Sequence, residues 1–230
     1  QKHIDIVHVM VFICYREAVL EGQFDYYVGG RRLDMEPLAY ASPAAQHRID
    51  ISAPEVVAKI RERIPDFAPC AYLNGTEKAN SFKWLLTLRM GTKQRIYGYH
   101  GPRMAELAQT LHHWRHGRYL AYAHPKVLRR GRSMLALAPF DVGLRRTLRN
   151  AITDPRLLFR RLHQQSIMVI QPIDILADGR QNMCDGCPDM TVWRDGLAWS
   201  CRLEECLHFG EFVRTAPKNG APEQAETAVP

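Results

Sequence analysis

Short runs rich in Ile, Val and Phe alternate along this chain with stretches whose apolar residues recur at helical spacing. The first run, IDIVHVMVFICY at 4–15, predicts a buried strand, because β-branched side chains pack well on a pleated surface. FDYYVGGRRLDM follows, with Gly29-Gly30 as a turn signal. SAPEVVAKIRERI predicts a helix: Ser52 and Glu55 make a capping box, Pro54 sits in the first turn, and Val56, Val57, Ile60 and Ile64 line one face. Residues 69–73 and 82–99 predict strands, the second stretch folded as a hairpin around Met90-Gly91-Thr92. A helix is expected from about Pro102 to Trp114, with Met104, Leu107, Ala108 and Leu111 as its apolar stripe.

Two basic helices are expected next, at 141–152 and 155–165, the second opened by Asp154-Pro155 as cap and first turn. SIMVIQPIDIL returns to strand and runs into a cysteine-rich stretch. From Ala216 the composition turns to Pro, Ala, Gln, Glu and Thr, which cannot bury enough surface to fold and predicts a disordered tail over 216–230. No internal repeat is visible.

With 230 residues, 46% of them apolar, the chain can bury a sizeable core without disulfide staples. No apolar run approaches the roughly 18 residues of a membrane span. The N-terminus also lacks the basic end, apolar stretch and cleavage site of a signal peptide, so a cytoplasmic location is expected. In a reducing compartment clustered cysteines serve as metal ligands or redox groups more often than as disulfides. The chain opens on Gln1 and enters a strand-like run within a few residues, which leads us to expect a fragment of a longer polypeptide. Charge is uneven. The net +7 hides a segment, Gly101 to Gln165, with 13 Lys/Arg against 3 Asp/Glu, while the rest of the chain is net −3.

Four of the six cysteines lie in NMCDGCPDMTVWRDGLAWSCRLEEC, spaced Cys184-x2-Cys187, thirteen residues, Cys201-x4-Cys206. A C-x2-C turn lets two thiolates converge on one metal, and Gly186 supplies the tight turn. DMTVWRDGLAWS predicts a β-hairpin with Asp195-Gly196 at its tip, which carries Cys201 back toward the first pair. Spacing alone leaves zinc and an iron–sulfur cluster open, since both suit tetrahedral thiolate sites.

The string QSIMVIQPIDILADGRQNMCDGCPDMTVWRDGLAWSCRLEE resembles the C-terminal part of radical S-adenosylmethionine (radical SAM) proteins. VHVMVFICYREAV, FDYYVGG, YGYHGPRM and GRYLAYAHP fit the same group, so the resemblance covers most of residues 5–215. It implies an α/β fold class. Residues 1–50 would be the last strands of a partial (β/α) barrel, 51–165 a mixed α/β middle with basic helices, and 166–215 a small cysteine-rich lobe. It implies an auxiliary [4Fe–4S] cluster of the SPASM or Twitch kind, with Cys184, Cys187 and Cys201 as ligands. Cys206 would be the weakest, replaceable by Cys14 or Cys70, and a three-cysteine cluster with an open iron is the other form. The spacing departs from the seven-cysteine SPASM pattern, so one auxiliary cluster is supported. The SAM-binding motif C-x3-C-x2-C is not in this chain. S-adenosylmethionine and a second [4Fe–4S] cluster would therefore belong to a missing N-terminal half, and these residues alone would be inactive. The implied partners are a small-molecule or peptide substrate and a reductant such as flavodoxin or ferredoxin.

Other patterns compete for notice. His112 and His116 share a helix face but lack the carboxylate of a zincin motif, so surface or substrate contact is expected. Trp193 and Trp199 on the hairpin are expected to pack, and to reduce exposure of any cluster beside them. KVLRRGR, LRRTLR and RLLFRRLH interleave arginine with leucine, which fits solvated helix faces or an anion site such as an anionic membrane surface. Nucleic acid is the weaker fit under the radical SAM reading. It becomes the partner under the first alternative, a zinc-ribbon module with basic helices. The second alternative is a structural module stapled by zinc.

Overall fold

The computed structural model describes residues 8–12, 24–33, 52–78, 81–117, 131–171, 173–176, 178–187 and 189–218, with backbone alone at 8–12, 158, 174 and 175. In chain order its elements are β1 (His8–Phe12), β2 (Phe24–Val28), β3 (Arg31–Leu33), α1 (Ala53–Arg63), β4 (Ala71–Asn74), β5 (Phe82–Gly91), β6 (Ile96–Tyr99) and α2 (Pro102–His116). There follow α3 (Gly131–Leu135), α4 (Val142–Ile152), β7 (His163–Ile170), β8 (Asp174–Ile175), β9 (Gln181–Asn182), β10 (Met190–Trp193), β11 (Gly196–Trp199), α5 (Leu203–Phe209) and β12 (Arg214–Pro217). The fold is mixed α/β.

Its centre is a five-stranded sheet in the order β1-β7-β5-β4, with β6 also paired to β5. β1 runs parallel to β7, His8 opposite Ser166 through Phe12 opposite Ile170. β5 is antiparallel to β7, β4 and β6. One core cluster joins Leu85 and Val169, which face each other across the β5–β7 ladder, to Ala53 and Val57 of α1, Phe67 and Tyr99. A buried aliphatic side chain of this kind contributes about 1.5–3 kcal/mol. α1 begins as its sequence predicts, with the Glu55 carboxylate accepting from the Ser52 backbone N–H at 2.8 Å and from Ser52 Oγ at 2.5 Å. Val56, Ile60 and Ile64 complete the predicted apolar face.

A second cluster lies under α4 at the far end of β5. Met90 packs there with Tyr97, Leu144, Ala151, Ala138 and Leu162. One buried carboxylate organises this end. Asp141 caps α4 by accepting from Leu144 N at 2.8 Å, and it also accepts from Gly101 N at 2.8 Å and Met104 N at 3.2 Å at the start of α2. Orphan N–H groups of two helices thus share one acceptor, which fixes the helices against each other. The approach is close enough to require glycine, since a Cβ on Gly143 would lie 2.4 Å from Gly101 N.

A smaller antiparallel sheet, β12-β2-β3, closes a third cluster of Phe24, Tyr26 and Val213. Gly29 and Gly30 form its turn with φ of 55° and 75°, as the sequence signals. β8–β9 and β10–β11 are two-stranded ladders.

Four expectations need correction. The 82–99 hairpin exists, but Met90 and Gly91 belong to β5, and the chain turns at Thr92–Arg95, where Thr92 N donates to Arg95 O at 2.8 Å. No helix fills 155–165. Pro155–Leu158 makes a short 3₁₀ turn and β7 starts at His163, because pairing of His163 with Gly91 outcompetes a leucine–arginine pattern that also suits a helix. The predicted stripe of α2 holds only at its start: Met104 packs against the Met90 cluster, but Leu107 and Leu111 are about half-exposed and the buried residue is Ala105. The ordered chain also continues past the predicted start of the tail, since Ala216 and Pro217 pair with Asp25 and Phe24. Backbone pairing there does what an apolar-poor composition cannot.

Candidate metal centre

The C-x2-C turn is fastened to the end of β4. Thr76 N donates to Met183 O at 2.9 Å, Met183 N to Thr76 Oγ1 at 3.1 Å, and Asp185 N to Asn74 O at 2.8 Å, while Gly75 bridges Cys184. Asn182, fully buried, accepts from Glu77 N at 3.0 Å. Its amide lies so close that a Cβ on Gly75 would stand 2.1 Å from Oδ1. Between the two cysteines Gly186 takes φ 60°, the left-handed conformation the turn demands.

The β10–β11 hairpin then returns the chain, as predicted, with Arg194 and Asp195 at its tip and Gly196 already in β11. Its open end is closed by Ser200 N to Asp189 O at 3.2 Å and by the Thr191 and Ser200 hydroxyls at 2.8 Å. Cys201 follows directly. Its sulfur receives a backbone hydrogen bond from Ile173, just past the end of β7.

Cys184, Cys187 and Cys201 act on one another. The Cys184 thiol is hydrogen-bonded to Cys187, which pushes Cys184 up, together with its burial and the charges of Cys187 and Cys201. The same bond pulls Cys187 down to about 7. Cys187 Sγ also contacts Asp189 O at 3.5 Å. Cys201 is raised by burial and then by Cys187. Lys83, fully buried on β5, is the cation that favours ionisation of Cys184. Its carbonyl accepts from Gln171 N at 2.7 Å, so the segment leading to Ile173 is tied to the same strand.

Cys206 lies on the last helix, α5. It is buried, which raises its thiol, and Glu205, Arg202 and Arg194 are the charged groups acting on it. Arg202 beside it is a strut: buried, bidentate to Glu205 at 2.9 and 2.5 Å, and bonded to Gln181 Oε1 at 2.6 Å and Val213 O at 2.7 Å. Cys70 immediately precedes β4, its N–H bonded to Leu86 O at 2.7 Å, and burial pushes its thiol up to about 12, while Cys14 falls outside the described residues. Trp199 packs against Phe212 at 5.1 Å, and Arg194 covers the Trp193 ring at 4.1 Å, so both tryptophans pack. His112 and His116 place their rings 4.6 Å apart on α2.

Sequence reasoning missed Lys83. A lysine inside FKWLLTL reads as a solvent-facing strand position, and only the three-dimensional structure shows that it is enclosed. Among the described residues no group of three or more His, Cys, Asp or Glu side chains stands ready-made around a metal position. Chemically the trio still suits a metal that takes sulfur ligands. It offers three soft donors, a backbone N–H at one sulfur and a buried cation beside another.

Compared with family models, curated proteins and solved structures, the chain matches none. Fold and site define it as a mixed α/β protein bearing a hydrogen-bonded pair of cysteines in a C-x2-C turn beside its central sheet. They assign it to no family.

Proposed function

We propose that this chain is the C-terminal portion of a radical SAM enzyme, in which Cys184, Cys187 and Cys201 hold an auxiliary [4Fe–4S] cluster. The observation that carries the reading is the hydrogen-bonded Cys184–Cys187 pair, fastened beside the end of β4 and within electrostatic reach of Cys201 and of buried Lys83 on β5. The parallel β1–β7 pair suits the closing strands of a partial (β/α) barrel, with β5, β4 and β6 as its antiparallel extension. The cysteine hairpin would be the small lobe. Catalytic residues and the SAM site would belong to the parent protein upstream.

A cluster bound here would carry electrons to or from a substrate radical, or bind substrate at an open iron. The chain's own residues have simpler tasks. Gly186 and the Met183–Thr76 pairing set the first two sulfurs, and the hairpin delivers the third. Lys83 offsets the negative charge of the thiolates without admitting water. Cys206 is assigned a structural place on α5, which leaves the fourth position for an exogenous ligand.

Anaerobic reconstitution with iron and sulfide, followed by iron, sulfide and zinc analysis, tests this. The reading expects a brown protein with about four irons per chain. A colourless protein with one tight zinc would contradict it. That result would favour a second reading, a zinc staple, which draws on the shortness of the ladders around the site, two to four residues each.

A further inference from the structure

We propose that the exposed arginine face of α4, with the turn that follows it, is a docking surface for an anionic lipid bilayer. The proposal stands independently of the thiol site. Between Gly131 and Leu162 the chain carries seven arginines and two acids. Both acids are already engaged. Asp141 is buried as the shared cap of α2 and α4. Asp154 accepts from the Tyr97 hydroxyl at 2.9 Å and from Arg156 N at 3.0 Å, with Arg95 3.7 Å away. Arg146 is paired with Asp66 at 2.9 Å, and the two acids of the stretch itself are turned to other partners, so arginines on this face outnumber the carboxylates that meet them.

Helix geometry concentrates it. Leu144, Thr147 and Ala151 point into the core, while Val142, Arg145, Arg149 and Ile152 are exposed. At 3.6 residues per turn those four fall within a sector of about 80° along about 15 Å of helix. Arg145 is steadied by donating to Pro139 O at 2.9 Å, and Arg149 and Arg161 pair with no carboxylate among the described residues.

Large apolar side chains rim this face: Phe159 is 92% exposed, Ile152 73%, Phe140 67% and Val142 65%. Arginine alone would suit any polyanion. Aliphatic Val142 and Ile152 at the two ends of the arginine row offer nothing to a nucleobase. They gain by entering the boundary between headgroups and acyl chains, while arginine stems lie along it with their heads at the phosphates. Apolar tips around a cationic row are the pattern of an interfacial helix, so lipid is the occupant the residues favour over RNA.

The test is sedimentation of the full chain with vesicles of phosphatidylcholine alone and of phosphatidylcholine with phosphatidylglycerol, at low and moderate salt. Binding to the anionic vesicles only is expected. Each arginine near such a surface is worth about fivefold in affinity. The triple variant Arg149→Gln, Arg156→Gln, Arg161→Gln should therefore weaken binding about a hundredfold. Phe159→Ser should weaken by about tenfold the binding that survives moderate salt, where charge is screened. These side chains are exposed, so far-UV circular dichroism of the variants should match the parent. Absence of pelleting with anionic vesicles at low salt would overturn the proposal, as would pelleting of the triple variant at parental levels. Tighter binding of a single-stranded RNA oligonucleotide than of vesicles would assign the surface to nucleic acid and overturn it equally.

Discussion

The two ends of β5 are built on opposite principles. At its Met90 end the sheet is covered by α4, and packing of Leu144, Ala151, Tyr97 and Leu162 does most of the holding, with Asp141 locking two helices together. At its Lys83 end Phe82 still packs against the α1 core, but the chain after β4 is held to short ladders by largely polar contacts: Asn182 to Glu77, Thr76 to Met183, and within the hairpin Ser200 to Asp189. The first end is a conventional core that needs nothing from outside the chain. The second places buried Lys83 within electrostatic reach of Cys184, whose thiol also feels Cys187 and Cys201. The difference locates where a ligand's binding energy would do structural work.

The largest expected effect belongs to the packed end. Leu144→Ala should cost about 2–5 kcal/mol in chemical denaturation, by lost transfer energy and a residual cavity. The loss should be the same with or without metal. Asp141→Ala comes next, at about 3 kcal/mol, since it strips three bonds from two helix starts. A metal-dependent loss in either variant would break the proposed independence of the two ends.

At the thiol end the expected signature is chemical rather than energetic. In metal-free protein Cys187 should be the first cysteine to react with iodoacetamide, its rate rising through a midpoint at about 7, while Cys70 stays unreactive until pH approaches about 12. Loading with metal should protect Cys187 and leave Cys70 as it was. Mass spectrometry of the labelled peptides reads both.

The smallest effect is a pH dependence at the packed end. Burial holds His100 below its ordinary 6.5, against the opposing pull of Asp141 and a hydrogen bond to Gln164. The unfolded chain therefore takes up a proton at His100 before the folded one does. Stability from this residue is full above pH 6.5 and falls as pH drops below it. In His100→Gln the acid side of the stability profile between pH 6.5 and 5 should flatten, measured by thermal unfolding.

Much of this was legible in the sequence where the determinants are local. The capping box of Ser52 and Glu55, the Gly29-Gly30 turn and the β10–β11 hairpin all follow from residues within a few positions of one another. The return of the chain before Cys201 was legible for the same reason, because a hairpin doubles back on its first strand. Long-range pairing was not. β1 meets β7 across more than 150 residues, β12 meets β2 across almost 190, and no local pattern announces either. RLLFRRLH satisfies a helical period, yet it forms only a short 3₁₀ turn before His163 enters β7, and pairing with β5 sets where that strand begins. Lys83 stayed hidden because the groups it meets, Gln171 and Cys184, lie about 90 to 100 residues further along the chain.

The measurement that tests the account most directly is iron and sulfide content after anaerobic reconstitution of single Cys→Ala variants at 184, 187, 201, 206 and 70. The account predicts that the first three lose the cluster while Cys206→Ala and Cys70→Ala keep about four irons. Loss of iron in Cys206→Ala, or its retention in any of the three, would contradict the assignment of the centre to Cys184, Cys187 and Cys201.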